Sequence, residues 1–441
     1  HILVASCRQD IFISTPLLRA PMTPDILGRF RTAASSASPG RSSPSIRDHI
    51  SDRWRSAVLI VASVVCGSLG WSGNVLALPV AMLFPALWAM SPSRTIAVLV
   101  SAGYFLAASR GMPQGVANFY SADLWPGFLL WFAASLSFVA VHAALWTRHP
   151  GRGHSGRGRA ARYLAAAVLT GLPPFGITGW AHPLTAAGVL FAGWGWWGLL
   201  ATAAGLLVMV TRYRPASVLA LAGLWLWSAA KWTGPTLPEG WRGVDLEYGQ
   251  MLGRDGSLEH HRDLMVAVRR AAGEGSRVVI LPESALGFWT PTVARLWRDE
   301  LNGLDITVVA GAAVINAHGY DNVMVAVRSG AADILYKERM PVPVSMWQPW
   351  LRWTGQGGGA KAHLFANPVV EVGTTRIAPL ICYEQLILWP VLQSMLHSPG
   401  VIVATGNGWW TEGTSIVAIQ KASVTAWAKL FDLPVVVAFN T

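Results

Sequence analysis

Charge is what this chain lacks. Of its 441 residues only 13% are Asp, Glu, Lys or Arg, about half the share usual in a water-facing globular protein. Much of the chain therefore does not face water. Cysteine is also scarce: Cys7, Cys66 and Cys382 make up the full set, and no spacing among them suggests a disulfide framework or a metal cluster. No metal and no cofactor is called for. A cleavable signal peptide is missing from the visible start, since the first long apolar run begins only near Ala57. What is abundant is apolar: 52% of residues are hydrophobic, with 23 Trp. The net charge of +11 raises nucleic acid as a partner. The basic residues form no patch on a recognisable binding module, however, and they flank apolar segments, where they set membrane orientation. Nucleic acid is therefore not expected.

The apolar content lies in the first half. Residues 1–54 are rich in Ser, Arg and Pro and read as a disordered tail. The chain opens on His1, and Met22 is a candidate start. A bilayer core of about 30 Å takes roughly 20 apolar residues in a helix. Seven stretches approach this, near 56–71, 74–90, 95–109, 125–146, 161–180, 184–211 and 215–231. Pro173 and Pro174 break the fifth, so backbone there must be covered by protein. Arg53, Arg55, Arg94, Arg148, Arg152, Arg157, Arg159, Arg162, Arg212 and Arg214 all fall in loops on one side if every stretch crosses. By the positive-inside rule that side is cytoplasmic, and an odd number of crossings puts everything after about residue 232 outside, in the periplasm of a Gram-negative cell.

Beyond Lys231 the pattern changes. Thr233–Gly240 reads as a linker. Strand-like runs at 277–282, 306–315, 322–328, 332–337, 374–381, 400–405 and 434–439 alternate with helix-like segments at 258–272, 291–301, 384–397 and 414–431, which argues an α/β domain over 233–441. The chain stops directly after the last run, and the domain is expected to be truncated at its C-terminus. Between strands, Ser345–Lys361 holds Trp347, Trp350 and Trp353 and then Gly357-Gly358-Gly359. It reads either as an apolar flap on a flexible hinge or as a Trp-rich piece of core.

Chemistry gathers at three strand ends: Glu283 after Val278–Pro282, Lys337 after Asp333–Tyr336, and Cys382 after Ile377–Ile381. Sites in open α/β sheets form at such carboxyl ends. A carboxylate can take a thiol proton as general base. A nearby ammonium favours the thiolate and stabilises an oxyanion, together with a backbone N–H just after the cysteine. Each residue alone has a plainer reading. Cys382 can be a small buried hydrophobe, Glu283 a solvated strand end, and Lys337 a member of a charged surface turn with Glu338 and Arg339.

Taken together, Leu281-Pro282-Glu283, Tyr336-Lys337 and Ile381-Cys382-Tyr383-Glu384 resemble the three signature segments of the nitrilase (carbon–nitrogen hydrolase) superfamily, in the family's order. With seven preceding spans, the resemblance narrows to the apolipoprotein N-acyltransferase branch and its conjugal-transfer relatives. It implies a polytopic α-helical membrane domain over 55–232, followed by an αββα nitrilase-like sandwich. It also implies Glu283 as general base, Lys337 as oxyanion and thiolate stabiliser, and Cys382 as nucleophile. Tyr383 would lend its backbone N–H to the oxyanion, Glu384 would support the site, and Asn407, in Gly406-Asn407-Gly408-Trp409-Trp410, would sit beside the nucleophile. One departure stands out: the acyltransferases carry a glutamate eight residues after the lysine, and Ser345 holds that position here. The expected activity is a membrane-bound cysteine acyltransferase or amidase working through a thioester at the outer face of the inner membrane, in conjugal plasmid transfer. Its partners would be a membrane lipid or other acyl donor and an amine or amide substrate, such as a lipoprotein or pilus component. The alternative is a non-enzymatic assembly factor of a conjugation apparatus that keeps the fold. A transporter is not expected, for want of ionisable residues near the centres of the apolar stretches.

Overall fold

A computed structural model of the chain describes residues 46–148, 157–253, 257–355 and 357–441. Most of the expected N-terminal tail and the middle of the Arg-rich stretch 147–162 lie outside them. Residues 46–54, read as part of the tail, form instead the first turns of helix α1 (Ile46–Gly70). Residues Ile50–Thr441 build one compact unit.

The apolar half is helical. After α1 come a 3₁₀ segment (Val75–Leu83) running into α2 (Phe84–Met90), then α3 (Arg94–Ala108), α4 (Met112–Tyr120), α5 (Leu124–Leu145), α6 (Arg157–Gly171), the single turn α7 (Ala187–Leu190), α8 (Gly195–Met209) and α9 (Arg214–Ala230). By length and apolar composition, two described helices suffice to cross a bilayer: Asp52–Gly70 within α1, and α5. The pair α3 and α4, bent by 50°, would make a third. The stretch expected as one span at 184–211 is broken. Residues 183–190 form a short 3₁₀ segment and α7, and α8 starts afresh at Gly195. The cause is packing: Ala186, Ala187 and Val189 are buried against protein, and a side chain at Gly188 would collide with the Ala426 carbonyl.

In the second half, Val- and Ile-rich runs fold into two sheets. The first takes the order β1 (Trp241–Gly243), β2 (Val278–Ile280), β3 (Thr307–Asn316), β4 (Gly319–Arg328), β5 (Ala331–Lys337). The second runs β6 (Val370–Val372), β7 (Thr375–Ile381), β8 (Val401–Asn407), β9 (Val435–Asn440). Helices α10 (Leu258–Gly273) and α11 (Pro291–Glu300) cover the outer face of the first sheet. Each starts on a hydroxyl cap, Ser257 accepting from His260 N–H and Thr290 from Val293 N–H, which fills an otherwise orphaned donor of the first turn. Helices α12 (Leu388–Met395) and α13 (Ile416–Phe431) cover the second sheet.

Between the sheets Ile280, Val309, Met324 and Tyr336 meet Ile377, Ile381, Val403 and Val436. The layers are thus helix, sheet, sheet, helix. Beyond them the apolar helices pack on α13, joining one continuous core. Asn118 of α4 donates to the carbonyls of Trp410 and Glu412, at 3.0 Å each, so the helical half is tied directly to the loop that follows β8.

Candidate active site

The strand ends converge as their order suggested, with one exception. Glu283 and Cys382 are both buried and both line one cavity of about 480 Å³. Backbone strain aims them. Cys382 has φ +45° and Ser284, next to Glu283, has φ +64°. Non-glycine residues enter this left-handed region at a cost that surrounding structure must hold in place. Gly311 of β3 lies so close to Glu283 and Ser284 that a Cβ there would clash with their backbone, which leaves glycine as the side chain the close approach allows.

Glu283 Oε1 accepts from Asn322 Nδ2 at 2.8 Å, and Oε2 from the Asn407 N–H at 3.0 Å. Burial pushes its carboxyl up to about 7, against the pull of these two donors. Asn407 is itself held by Asn440 Nδ2 at 2.7 Å, and it lines the same cavity as Cys382. Gln420, on α13, donates from Nε2 to the Cys382 carbonyl at 2.9 Å and lies 3.8 Å from Sγ. Tyr383 lines the cavity, and its hydroxyl donates to the Ile177 carbonyl at 3.2 Å.

Glu384 is fully buried and faces away from the cavity. Its Oε1 accepts from the Tyr336 hydroxyl (2.6 Å) and the Arg339 N–H (2.7 Å), and its Oε2 from the Ile381 N–H (2.8 Å). The Arg339 guanidinium lies 3.6 Å away and also bonds the carbonyls of Pro379 and Pro390. Glu384 is therefore a fastener between the ends of β5 and β7.

Lys337 is the exception. Its Nζ lies 3.4 Å from Asp321 Oδ2, and its side chain is 39% exposed. Asp321 is shared with His363 Nε2 at 2.8 Å. The reason is strand alternation, which sends successive side chains to opposite faces. Lys337 pairs with Val323, whose side chain belongs to the outer core, whereas Tyr336 pairs with Met324 between the sheets. One residue on, the chain points inward again. Glu338 is fully buried, and its Oε2 accepts from the same Asn322 Nδ2 at 2.8 Å. The charged turn expected at Glu338 and Arg339 is thus no surface feature. Burial first, then the Glu283 and Glu384 charges, hold the Glu338 carboxyl well above the usual carboxylate range. Burial and the charges of Glu283 and Glu338 likewise push the Cys382 thiol well up.

The far wall of the cavity is apolar and comes from the helical half: Met112, Val116 and Phe119 of α4, Leu130 and Ala134 of α5, and Trp180. Ser345 and Met346 close another side. Of the Trp-rich segment, Trp347 packs on the core, whereas Trp353 is 86% exposed. No group of His, Cys, Asp and Glu suited to a metal ion occurs among the described residues.

The carbon-nitrogen hydrolase profile matches residues 106–429. The chain belongs to the carbon-nitrogen hydrolase family. Among curated relatives it is 69% identical to the conjugal transfer protein TraB of Agrobacterium fabrum over 95% of this chain and all of that protein. It is 60% identical to the probable conjugal transfer protein TraB of Sinorhizobium fredii over 90% of this chain and all of that one. Among solved structures it is similar to a Nesterenkonia amidase of the nitrilase superfamily, at 12% identity and a TM-score of 0.35, over 46% of this chain and 78% of the amidase. As a carbon-nitrogen hydrolase, the chain brings together Glu283, Cys382, Tyr383 and Asn407 and leaves Lys337 outside. Sequence reasoning passed over Asn322, Glu338 and Gln420. For Glu338 no local signal existed, because a register shift in the β4–β5 pairing resets the alternation just before Tyr336. For Gln420, distant on a helix, there was none either.

Proposed function

We propose that the protein is a membrane-embedded cysteine acyltransferase or amidase that works through a thioester on Cys382. The observation that carries this is the shared cavity. One end holds a strained thiol beside a buried carboxyl, and the other is walled by apolar side chains of α4 and α5. Because α5 is long and apolar enough to cross a bilayer, an acyl chain leaving lipid reaches the thiol without entering water.

In the first half-reaction Glu283, as carboxylate, takes the Cys382 proton. Sγ attacks the acyl carbonyl, and the alcohol or amine leaves with that proton as the thioester forms. In the second, an amine or water gives its proton to Glu283 and attacks the thioester, and the thiol is restored. The backbone N–H of Tyr383, which lines the same cavity, would donate to the developing oxyanion. The relatives' names support a role in conjugal transfer, and the one-sided Arg distribution supports several crossings with the catalytic half on the periplasmic side of the inner membrane.

A second reading has its own observation. Among the described residues no cation is found against the Cys382 thiol, and burial keeps that thiol protonated, which suits an assembly factor that keeps the fold without turnover. Intact-mass analysis of the full chain exposed to phospholipid decides between them. Acyl transfer gives a mass increase on Cys382 that neutral hydroxylamine removes and that Cys382→Ala lacks. A Cys382→Ala chain that still supports plasmid transfer at the wild-type level leaves only the assembly role.

A further inference from the structure

Glu338 follows the last paired residue of β5, and its carboxyl turns into the space between the sheets, fully buried. Its Oε2 and Glu283 Oε1 are bridged by a single amide nitrogen, Asn322 Nδ2, at 2.8 Å to each. Its other oxygen, Oε1, has no hydrogen-bond partner among the described residues. The groups around it are Glu283 from the loop after β2, Tyr320 and Asn322 from β4, and Cys382 and Glu384 from the turn after β7. None is a cation. Arg339, next in the chain, spends its guanidinium on Tyr336, Glu384 and three acceptors around α12 and β7. Lys337 is on the opposite face with Asp321.

We propose that Glu338 is the third member of this site and stands there as a neutral carboxylic acid, a positioning residue that shares the amide of Asn322 with Glu283 and leaves the Cys382 thiol without a cation. A buried carboxylate with one donor and no counter-ion is costly, and a group so placed keeps its proton instead. An acid oxygen with no acceptor is the cheaper of the two imperfect states. A carboxyl that stays neutral also lets Glu283 ionise alone, since two carboxylates sharing one amide do not both ionise readily. The device therefore divides labour between like groups. Glu338 keeps a proton, Glu283 exchanges one, and the thiol is deprotonated only as Glu283 takes its proton. The resting site is poor in charge and its thiol is weakly reactive towards simple electrophiles.

Two variants of the full chain test this without turnover, so the result does not hang on the acyl-transfer reading. In Glu338→Gln, the infrared spectrum at neutral pH loses a protonated-carboxyl C=O band that the wild type shows; an unchanged spectrum overturns the proposal. In Glu338→Lys, iodoacetamide alkylation of Cys382, followed by peptide mass against pH, rises about tenfold or more at neutral pH, and its inflection moves to lower pH, because a cation there favours the thiolate. A folded Glu338→Lys chain with the wild-type alkylation profile overturns it equally. Where Glu338→Lys does not fold, the infrared result of Glu338→Gln decides alone. Both expected results with no thioester formed would sink acyl transfer and leave Glu338 as assigned. A thioester with neither result would do the reverse.

Discussion

Replacing Glu283 by Gln should remove a pH dependence from both stability and activity. The carboxyl is buried and pushed from 4.5 up to about 7. A carboxyl raised on folding contributes stability below its unfolded value and loses it as pH climbs through its folded value, because the unfolded chain ionises first. The gap from 4.5 to about 7 corresponds to about 3 kcal/mol, lost by the wild type between about pH 5 and about pH 8. Glu283→Gln removes that slope. It also turns an amide N–H₂ towards either Asn322 Nδ2 or the Asn407 N–H, both donors, at a pH-independent cost of about 1–3 kcal/mol. The variant should therefore be less stable than wild type near pH 5 and should draw level or overtake it near pH 8. Acylation of Cys382 should rise with pH through about 7 in the wild type, as the base form appears. The variant should lack that limb and run about 10²–10⁴ slower. Thermal melts in detergent at both pH values, with thioester formation followed by mass, measure the two effects. A Glu283→Gln chain whose stability keeps the wild-type pH slope would refute the burial argument, whatever its activity.

Three further outcomes follow from other contacts. Lys337→Met should slow acylation by no more than a few-fold, because the ammonium faces Asp321 on the outer side of the sheet; a loss of about 10² or more, the scale of a missing oxyanion donor, would restore it to the site. Asn322→Leu strips the shared donor from two buried carboxyls and should cost about 2–6 kcal/mol of stability in denaturant melts, each orphaned acceptor contributing about 1–3 kcal/mol; a neutral change would show that the bridge is dispensable. Reporter fusions after Arg157 and after Gly240 should report opposite sides of the membrane, and activity on the same side would end the odd-crossing arrangement.

The second half of the chain was largely legible because its physics is local. Val-, Ile- and Thr-rich runs bounded by turn residues became strands within two or three residues of where the pattern put them, as at 306–315 and β3 (Thr307–Asn316), or 434–439 and β9 (Val435–Asn440). The three-residue strands β1 and β6 carry too short a pattern to read, and they exist because neighbours pair with them. The site was legible to the level of a motif but not of a face. Lys337 carries the charge that the chemistry wants, yet one residue of strand phase separates it from Glu338. That phase is set by pairing with Met324, a long-range contact that no local run encodes. In the first half, apolar content marked the helices but not their ends. The run 184–211 is interrupted because α7 is buried against α13, and burial by protein leaves the same composition as burial by lipid.

The cross-bonding of Glu384 makes one wall of the cavity unlike the other. One carboxylate ties Tyr336 and Arg339 at the end of the first sheet to Ile381 at the end of the second, so the two sheets cannot part at that end without stranding a buried charge. On the side of the sheets the cavity is rigid. Its opposite wall is α4 and α5, and α5 is long and apolar enough to cross a bilayer. On the proposed membrane reading, access to the cavity would open by moving helices and not strands, and its width would depend on the surrounding lipid as much as on the protein.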